Sequence, residues 1–172
     1  MLTQPYNLSG MKTIVFFLTI SFISCTDQQS ALKGPKDEKL PNFSMMSMDS
    51  THFVNSTSFA GDKPLVLFLL STRCPYCRAQ LKDICKKMDQ IKGVQFFLAA
   101  SGPLSEVRQL YADNNLAQYP NVIIGVDTNL FIRKYYKTVK IPYLVIYDKD
   151  KFLKLKFSGV TDVSEIKQAV EE

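Results

Sequence analysis

The chain has 172 residues, 46% of them hydrophobic and 22% charged, and a formal net charge of +5 at pH 7. That length holds one domain with a sizeable core and some additional chain. The charge is mildly basic, with no arginine-rich helix and no aromatic–basic interleaving. This excludes nucleic acid as a partner and leaves solubility and local tuning as the role of the excess.

The additional chain sits at the front. Met11-Lys12 precedes an uncharged, largely apolar stretch over 13–24 that ends at Cys25, the pattern of a secretory signal peptide spanning residues 1–24. Residues 1–10 add nothing to that pattern, so Met11 is a second candidate for the true start. The run is shorter than the roughly 20 apolar residues of a membrane-spanning helix. Phe22-Ile23-Ser24-Cys25 resembles a bacterial lipoprotein cleavage box, with Phe22 where leucine is usual. The resemblance implies cleavage before Cys25 and a diacylglyceryl group on its sulfur. The alternative is an ordinary secreted protein in which Cys25 is discarded or left as a free thiol. Loss of Lys12 with the signal lowers the net charge to +4. Residues 26–41 are polar, of mixed charge, and interrupted by Gly34-Pro35, so 25–41 reads as a lipidated N-terminus with a flexible tether. Fully extended, such a tether reaches at most about 55 Å.

Residues 42–172 form the domain. Segments 42–48 and 51–54, split by Asp49-Ser50, predict a hairpin. Residues 65–70 carry no polar side chain, as in a strand buried on both faces. From Pro75 the period becomes helical, with Cys77, Leu81, Ile84, Cys85, Met88 and Ile91 on one side and Gly93 as a C-cap. A second buried strand at 94–100, a helix from 101 to about 114, a third strand at 121–125 and a brief helix at 129–136 follow. A strand at 141–147, a turn at 148–151 and a strand at 152–157 come next. The last of these alternates, which predicts lysines facing solvent and apolar residues facing in. Asp162 caps a final helix over 163–170. The order describes one α/β domain with a βαβ start and an antiparallel edge.

Cys74-Pro75-Tyr76-Cys77 stands where the first buried strand gives way to a helix. Unpaired amide N–H groups and the helix dipole stabilise a thiolate at such a position, so the pair reads as a redox dithiol. A structural disulfide or half a zinc site is the bland alternative, but only Cys85 and His52 remain to complete a metal set, and neither a metal nor a cofactor is expected. Cys85 shares the helix face of Cys77, either as a buried inert thiol or as a third redox thiol. His52 lies far upstream, where a Cys–His pair is conceivable only in space. Arg73, Arg78, Lys82, Lys137 and Lys140 form either a basic rim favouring acidic substrates or a solvated face. Met45, Met46 and Met48 read as core or edge filler rather than copper ligands.

The CxxC at a strand–helix junction, the Val139-Lys140-Ile141-Pro142 segment, the following hairpin, Gly159 and the terminal helix together resemble the thioredoxin superfamily over residues 42–172. The additional strand and helix within 94–136 are similar to the membrane-tethered TlpA/ResA-like branch. The resemblance implies a thioredoxin-like α/β fold, a central mixed sheet flanked by helices, with the branch's βα insertion. It implies that Cys74 attacks, that Cys77 resolves, that the two form the redox-active disulfide, and that Pro142 sits opposite them in a cis-proline loop with Ile141. It also implies a thiol–disulfide oxidoreductase of the bacterial envelope, lipid-anchored on the periplasmic side, reducing disulfides of envelope proteins and re-reduced by a membrane donor, as a monomer.

Three departures bear on this. Arg73 replaces the usual tryptophan, and a guanidinium there favours the Cys74 thiolate. Phe68 replaces the buried acid of thioredoxins, so their proton relay is absent. Pro75-Tyr76 resembles glutaredoxin, which lacks the insertion. An oxidase or isomerase of the same family remains open. So do a peroxiredoxin-type peroxidase, for which Ser71 fits and Leu67 stands where proline belongs, and a non-enzymatic Sco-like copper carrier, which needs CxxxC and a downstream histidine.

Overall fold

The computed structural model describes residues 1, 31–33, 35, 37–59 and 61–172. The predicted signal peptide, apart from residue 1, and Cys25 lie outside the described residues. Among the described residues, no helix is long and apolar enough to cross a membrane.

Two short strands open the fold, β1 (Leu32–Lys33) and β2 (Ser44–Met46), followed by β3 (Phe53–Asn55). The βαβ core comes next as β4 (Leu65–Ser71), α1 (Pro75–Lys86), β5 (Gln95–Ser101), α2 (Leu104–Asp113) and β6 (Val122–Val126). Then follow α3 (Phe131–Tyr135), β7 (Tyr143–Tyr147), β8 (Leu153–Ser158) and α4 (Val163–Glu171). The strands join one mixed sheet in the order β1-β8-β7-β4-β5-β6-β2-β3. β4, β5 and β6 run parallel, and β7 is antiparallel to β4. This is the thioredoxin-like α/β fold with the additional βα unit, α2 and β6, that the resemblance implied.

β4 is apolar from Leu65 to Leu70 because both of its faces are covered. Val66, Phe68 and Leu70 face α1, α2 and α4, with Cys77, Leu81, Ile84, Val107 and Ile166 in the same core. Leu65, Leu67 and Leu69 face the other core, with Phe43, Phe59, Phe97, Ile132 and Tyr147. Phe68 is therefore an ordinary core residue, 0% exposed. The predicted 42–54 hairpin is present as β2 and β3, and Met45 is buried.

Three expectations need correction. The tether is not free over its described part. β1 pairs with β8, the Leu40 N–H donates to the Lys151 carbonyl (2.9 Å), the Leu153 N–H donates to the Glu38 carbonyl (2.8 Å), and Lys156 pairs with the Glu38 carboxylate (3.3 Å). Composition sees a mostly polar stretch there, whereas the open edge of β8 offers backbone groups that any sequence can satisfy. α1 ends at Lys86 rather than at Gly93, and a tighter turn at Met88–Gln90 brings both Met88 and Ile91 onto the core. In β8, a bulge makes Lys154 an extra residue between the partners of Ile146 and Tyr147. Lys154 and Lys156 thus fall on opposite faces, and Lys156 lies 5.3 Å from the Tyr136 ring centroid instead of facing solvent.

Candidate active site

β4, β5 and β6 all end at one edge of the sheet, and β7 begins there, because Leu69 pairs with Tyr143. The turn after β4 and the Ile141–Pro142 segment before β7 are therefore neighbours by topology. The Ile141–Pro142 peptide is cis, the Gly159 N–H donates to the Pro142 carbonyl (2.9 Å), and Ile141 packs against both cores.

Cys74 is the N-cap of α1, in extended conformation (φ −86°, ψ 114°), with Pro75 in the first helical turn, where its missing N–H costs nothing. The Cys77 N–H donates to Cys74 Sγ at 3.2 Å. A sulfur so placed accepts one of the helix's orphan N–H groups and meets the positive end of its dipole, and both favour the thiolate. Cys74 is half-buried, whereas Cys77, one turn on, is 1% exposed in the core. Burial, together with the hydrogen bond to Cys74, pushes the Cys77 thiol up to about 12. One sulfur is half-buried at the helix N-terminus, and the other is enclosed and held neutral. Tyr76 between them is 66% exposed. Cys74, Cys77 and Cys85 are free thiols.

The residue that the sequence reading missed is Glu106, in the first turn of α2. Its carboxylate accepts from Arg73 Nη2 at 3.0 Å and from Arg73 Nε at 3.3 and 3.4 Å, and it also accepts from Thr72 Oγ1 at 2.5 Å. The Arg73 hydrogen bond first, and then that of Thr72, holds the Glu106 carboxyl below its ordinary range. Arg73, expected to favour the Cys74 thiolate, is thus paired with Glu106. The residue preceding Cys74 therefore carries an ion pair, whose net field is weaker than that of a free cation. Gly102 completes this contact at φ +142°, since a Cβ there would lie 2.2 Å from Thr72 Oγ1. The Thr72 N–H donates to the Ser101 carbonyl (3.1 Å), so the inserted helix is fastened to the turn that carries the thiols. A Glu three positions into a helix is unremarkable in sequence, and only its distance from Arg73 reveals the role.

The remaining candidates separate. Cys85 is partly enclosed against the α1 core, and burial raises its thiol to about 11, which matches the inert reading. His52 lies on the turn into β3, four strands along the sheet from β4, paired with Asp49 at 3.0 Å, and stands outside the site. Leu67 is 0% exposed within β4, so no peroxidase-type proline turn exists at that point. Gln80, not singled out from sequence, is buried and clasps Thr161 through both amide atoms (2.8 and 2.6 Å), which fixes α1 to the loop before α4.

The family profile described as Redoxin matches residues 35–169. Methylamine utilization protein MauD of Methylobacillus flagellatus is 24% identical over 119 residues, 69% of this chain and 55% of that protein. The chain thus spans about half the length of that relative. A secreted Mycobacterium tuberculosis disulfide oxidoreductase homologous to E. coli DsbE is structurally similar, with a TM-score of 0.61 and 19% identity over 75% of this chain and 94% of the other. A yeast mitochondrial 1-Cys peroxiredoxin also aligns, with a TM-score of 0.64 and 17% identity over 80% of this chain and 75% of the other. At these identities the structural likenesses establish the fold alone.

Proposed function

The chain belongs to the Redoxin family, and from that premise we propose that it is a thiol–disulfide oxidoreductase that reduces protein disulfides through the Cys74/Cys77 dithiol. The observation that carries this reading is the asymmetry of the pair. Cys74 Sγ receives the Cys77 N–H at the start of α1, while Cys77 is buried and protonated.

The Cys74 thiolate attacks one sulfur of a substrate disulfide. That S–S bond breaks, a Cys74–substrate disulfide forms, and the displaced substrate sulfur takes up a proton. Cys77 then gives up its proton and attacks Cys74 Sγ. The mixed disulfide breaks, the substrate leaves with both thiols, and Cys74–Cys77 is left oxidised. A membrane donor of two electrons restores the dithiol. Pro142, with Ile141, borders the substrate path at the same sheet edge.

The setting is the bacterial envelope, reached by the 1–24 signal and held by lipid on Cys25, and the substrates are disulfide-bearing envelope proteins. Cys74→Ser is expected to abolish insulin-disulfide reduction and Cys77→Ser to accumulate a mixed disulfide, read on non-reducing gels. Activity surviving in Cys74→Ser removes the proposal. A redox titration is expected to place the couple near or below about −270 mV, in the thioredoxin range, and a value close to that of strong periplasmic oxidants reverses the direction.

A further inference from the structure

Residues 127–142 occupy the same edge of the sheet as Cys74, since they run from the end of β6 to the start of β7. Between Asp127 and Asp148 the sequence holds Arg133, Lys134, Lys137 and Lys140 and no acid, so the charge excess of the chain is concentrated in this segment. Lys134, Lys137 and Lys140 are exposed, and among the described residues none of them is in an ion pair. The acids nearby are all committed elsewhere. Asp127 is buried and accepts from the Phe131 and Ile132 N–H groups (2.7 and 3.0 Å), Glu106 is held by Arg73, and Glu38 is held by Lys156. Apolar surface lies among the lysines. Phe131 and Tyr135 stack with centroids 6.1 Å apart and are 36% and 42% exposed, and Val139 is 79% exposed.

The segment is also preorganised. Arg133 is turned inward, donating from Nε to the Thr138 carbonyl (3.2 Å) and from Nη2 to the Val139 carbonyl (3.0 Å), which fixes the loop that presents Val139 and Lys140. A surface of exposed aromatic and apolar side chains among unpaired cations, at the end of the sheet where β4 leads into Cys74, suits a chain of opposite charge with apolar residues.

We infer that the surface formed by Phe131, Lys134, Tyr135, Lys137, Val139 and Lys140 docks an acidic segment of the protein whose disulfide Cys74 attacks. This rests on the thiol–disulfide reading and adds the substrate class to it. A protein segment is favoured over an anionic membrane on two grounds. α3 is five residues long, too short for the extended amphipathic face that interfacial helices bury. A bilayer seated here would also cover the edge at which Cys74 opens.

The test uses the purified full chain and two disulfide-bonded peptides of the same core, one flanked by Asp/Glu and one by Lys/Arg, with hydroxyethyl disulfide as a small neutral substrate. The wild-type chain is expected to reduce the acidic peptide at least about tenfold faster in kcat/KM than the basic one at low ionic strength. The ratio is expected to fall toward one at about 0.5 M salt. The combined Lys134→Glu, Lys137→Glu and Lys140→Glu variant is expected to abolish or invert the ratio, which is internal to each protein and so insensitive to a change in the active fraction. Equal rates for the two peptides in the wild type, or an unchanged ratio in the variant, overturn the inference. Binding to phosphatidylglycerol vesicles without a peptide preference overturns it in favour of a membrane. Absence of turnover of hydroxyethyl disulfide defeats the redox reading instead. Docking is then read from the fluorescence anisotropy of labelled peptides with serine in place of cysteine, where a preference for the acidic peptide upholds the surface and its absence overturns it.

Discussion

Cys74 and Cys77 lie one helical turn apart, yet the fold gives them opposite surroundings, one at a helix N-terminus and one in the core. The Cys77 thiol, raised to about 12 chiefly by burial, is almost wholly protonated at neutral pH. A group whose ionisation lies that high gains about tenfold in thiolate for each pH unit below it. Release of product from a preformed Cys74 mixed disulfide is therefore expected to accelerate about tenfold per unit between pH 7 and 9, measured by stopped-flow fluorescence. A flat profile would show instead that a base assists Cys77. The Arg73–Glu106 pair gives a second prediction at this scale. Glu106→Ala leaves the guanidinium unpaired beside Cys74, and alkylation of Cys74 by iodoacetamide at neutral pH is expected to quicken by about two- to fivefold, as an added nearby charge at high effective dielectric implies. The depressed carboxyl of Glu106 sets the sign of the pH dependence. The clasp is complete above the carboxylate range and is lost as pH falls through the folded-state value.

Among the elements, α2 gains its importance from where its first turn sits. Glu106, Thr72 and Gly102 fasten it to the turn before α1, so the inserted unit stiffens the segment that carries Cys74. Gly102→Ala adds a Cβ at 2.2 Å from Thr72 Oγ1 and at a φ of +142°. The expected cost is about 1–3 kcal/mol by urea unfolding, with a parallel fall in disulfide reduction, because the clash and the strain both fall on the active-site turn. A stability loss without a loss of activity would show that the clasp does not position the thiols. β8 is the other element whose neighbours matter, since its outer edge is taken by β1 and by residues 38–40.

For the whole molecule, that strap turns part of a polar leader into a piece of the domain. Deleting residues 1–41 is expected to uncover the β8 edge, lower the urea midpoint and promote self-association seen by light scattering, since an unpaired edge strand templates pairing with another chain. A chain starting at residue 31 is expected to behave as the full domain does. Most of the architecture is legible in the sequence because it rests on local regularities. The apolar run over 65–70, the 3.6-residue period after Pro75 and the Asp162 cap each specify an element from neighbours a few positions away. The Cys74–Cys77 spacing is likewise local. By itself, then, the sequence determined the thioredoxin-like order of elements and the placement of two cysteines at the start of α1. The tertiary structure alone decided that Glu106 neutralises Arg73 across 33 residues and that Glu38 meets Lys156 across 118. It also decided that a bulge at Lys154 turns a lysine inward and that residues 127–142 lie at the end of the sheet where Cys74 stands. These arise from chain segments brought together by packing, where charge, backbone pairing and register depend on the neighbour in space, which local periodicity does not encode.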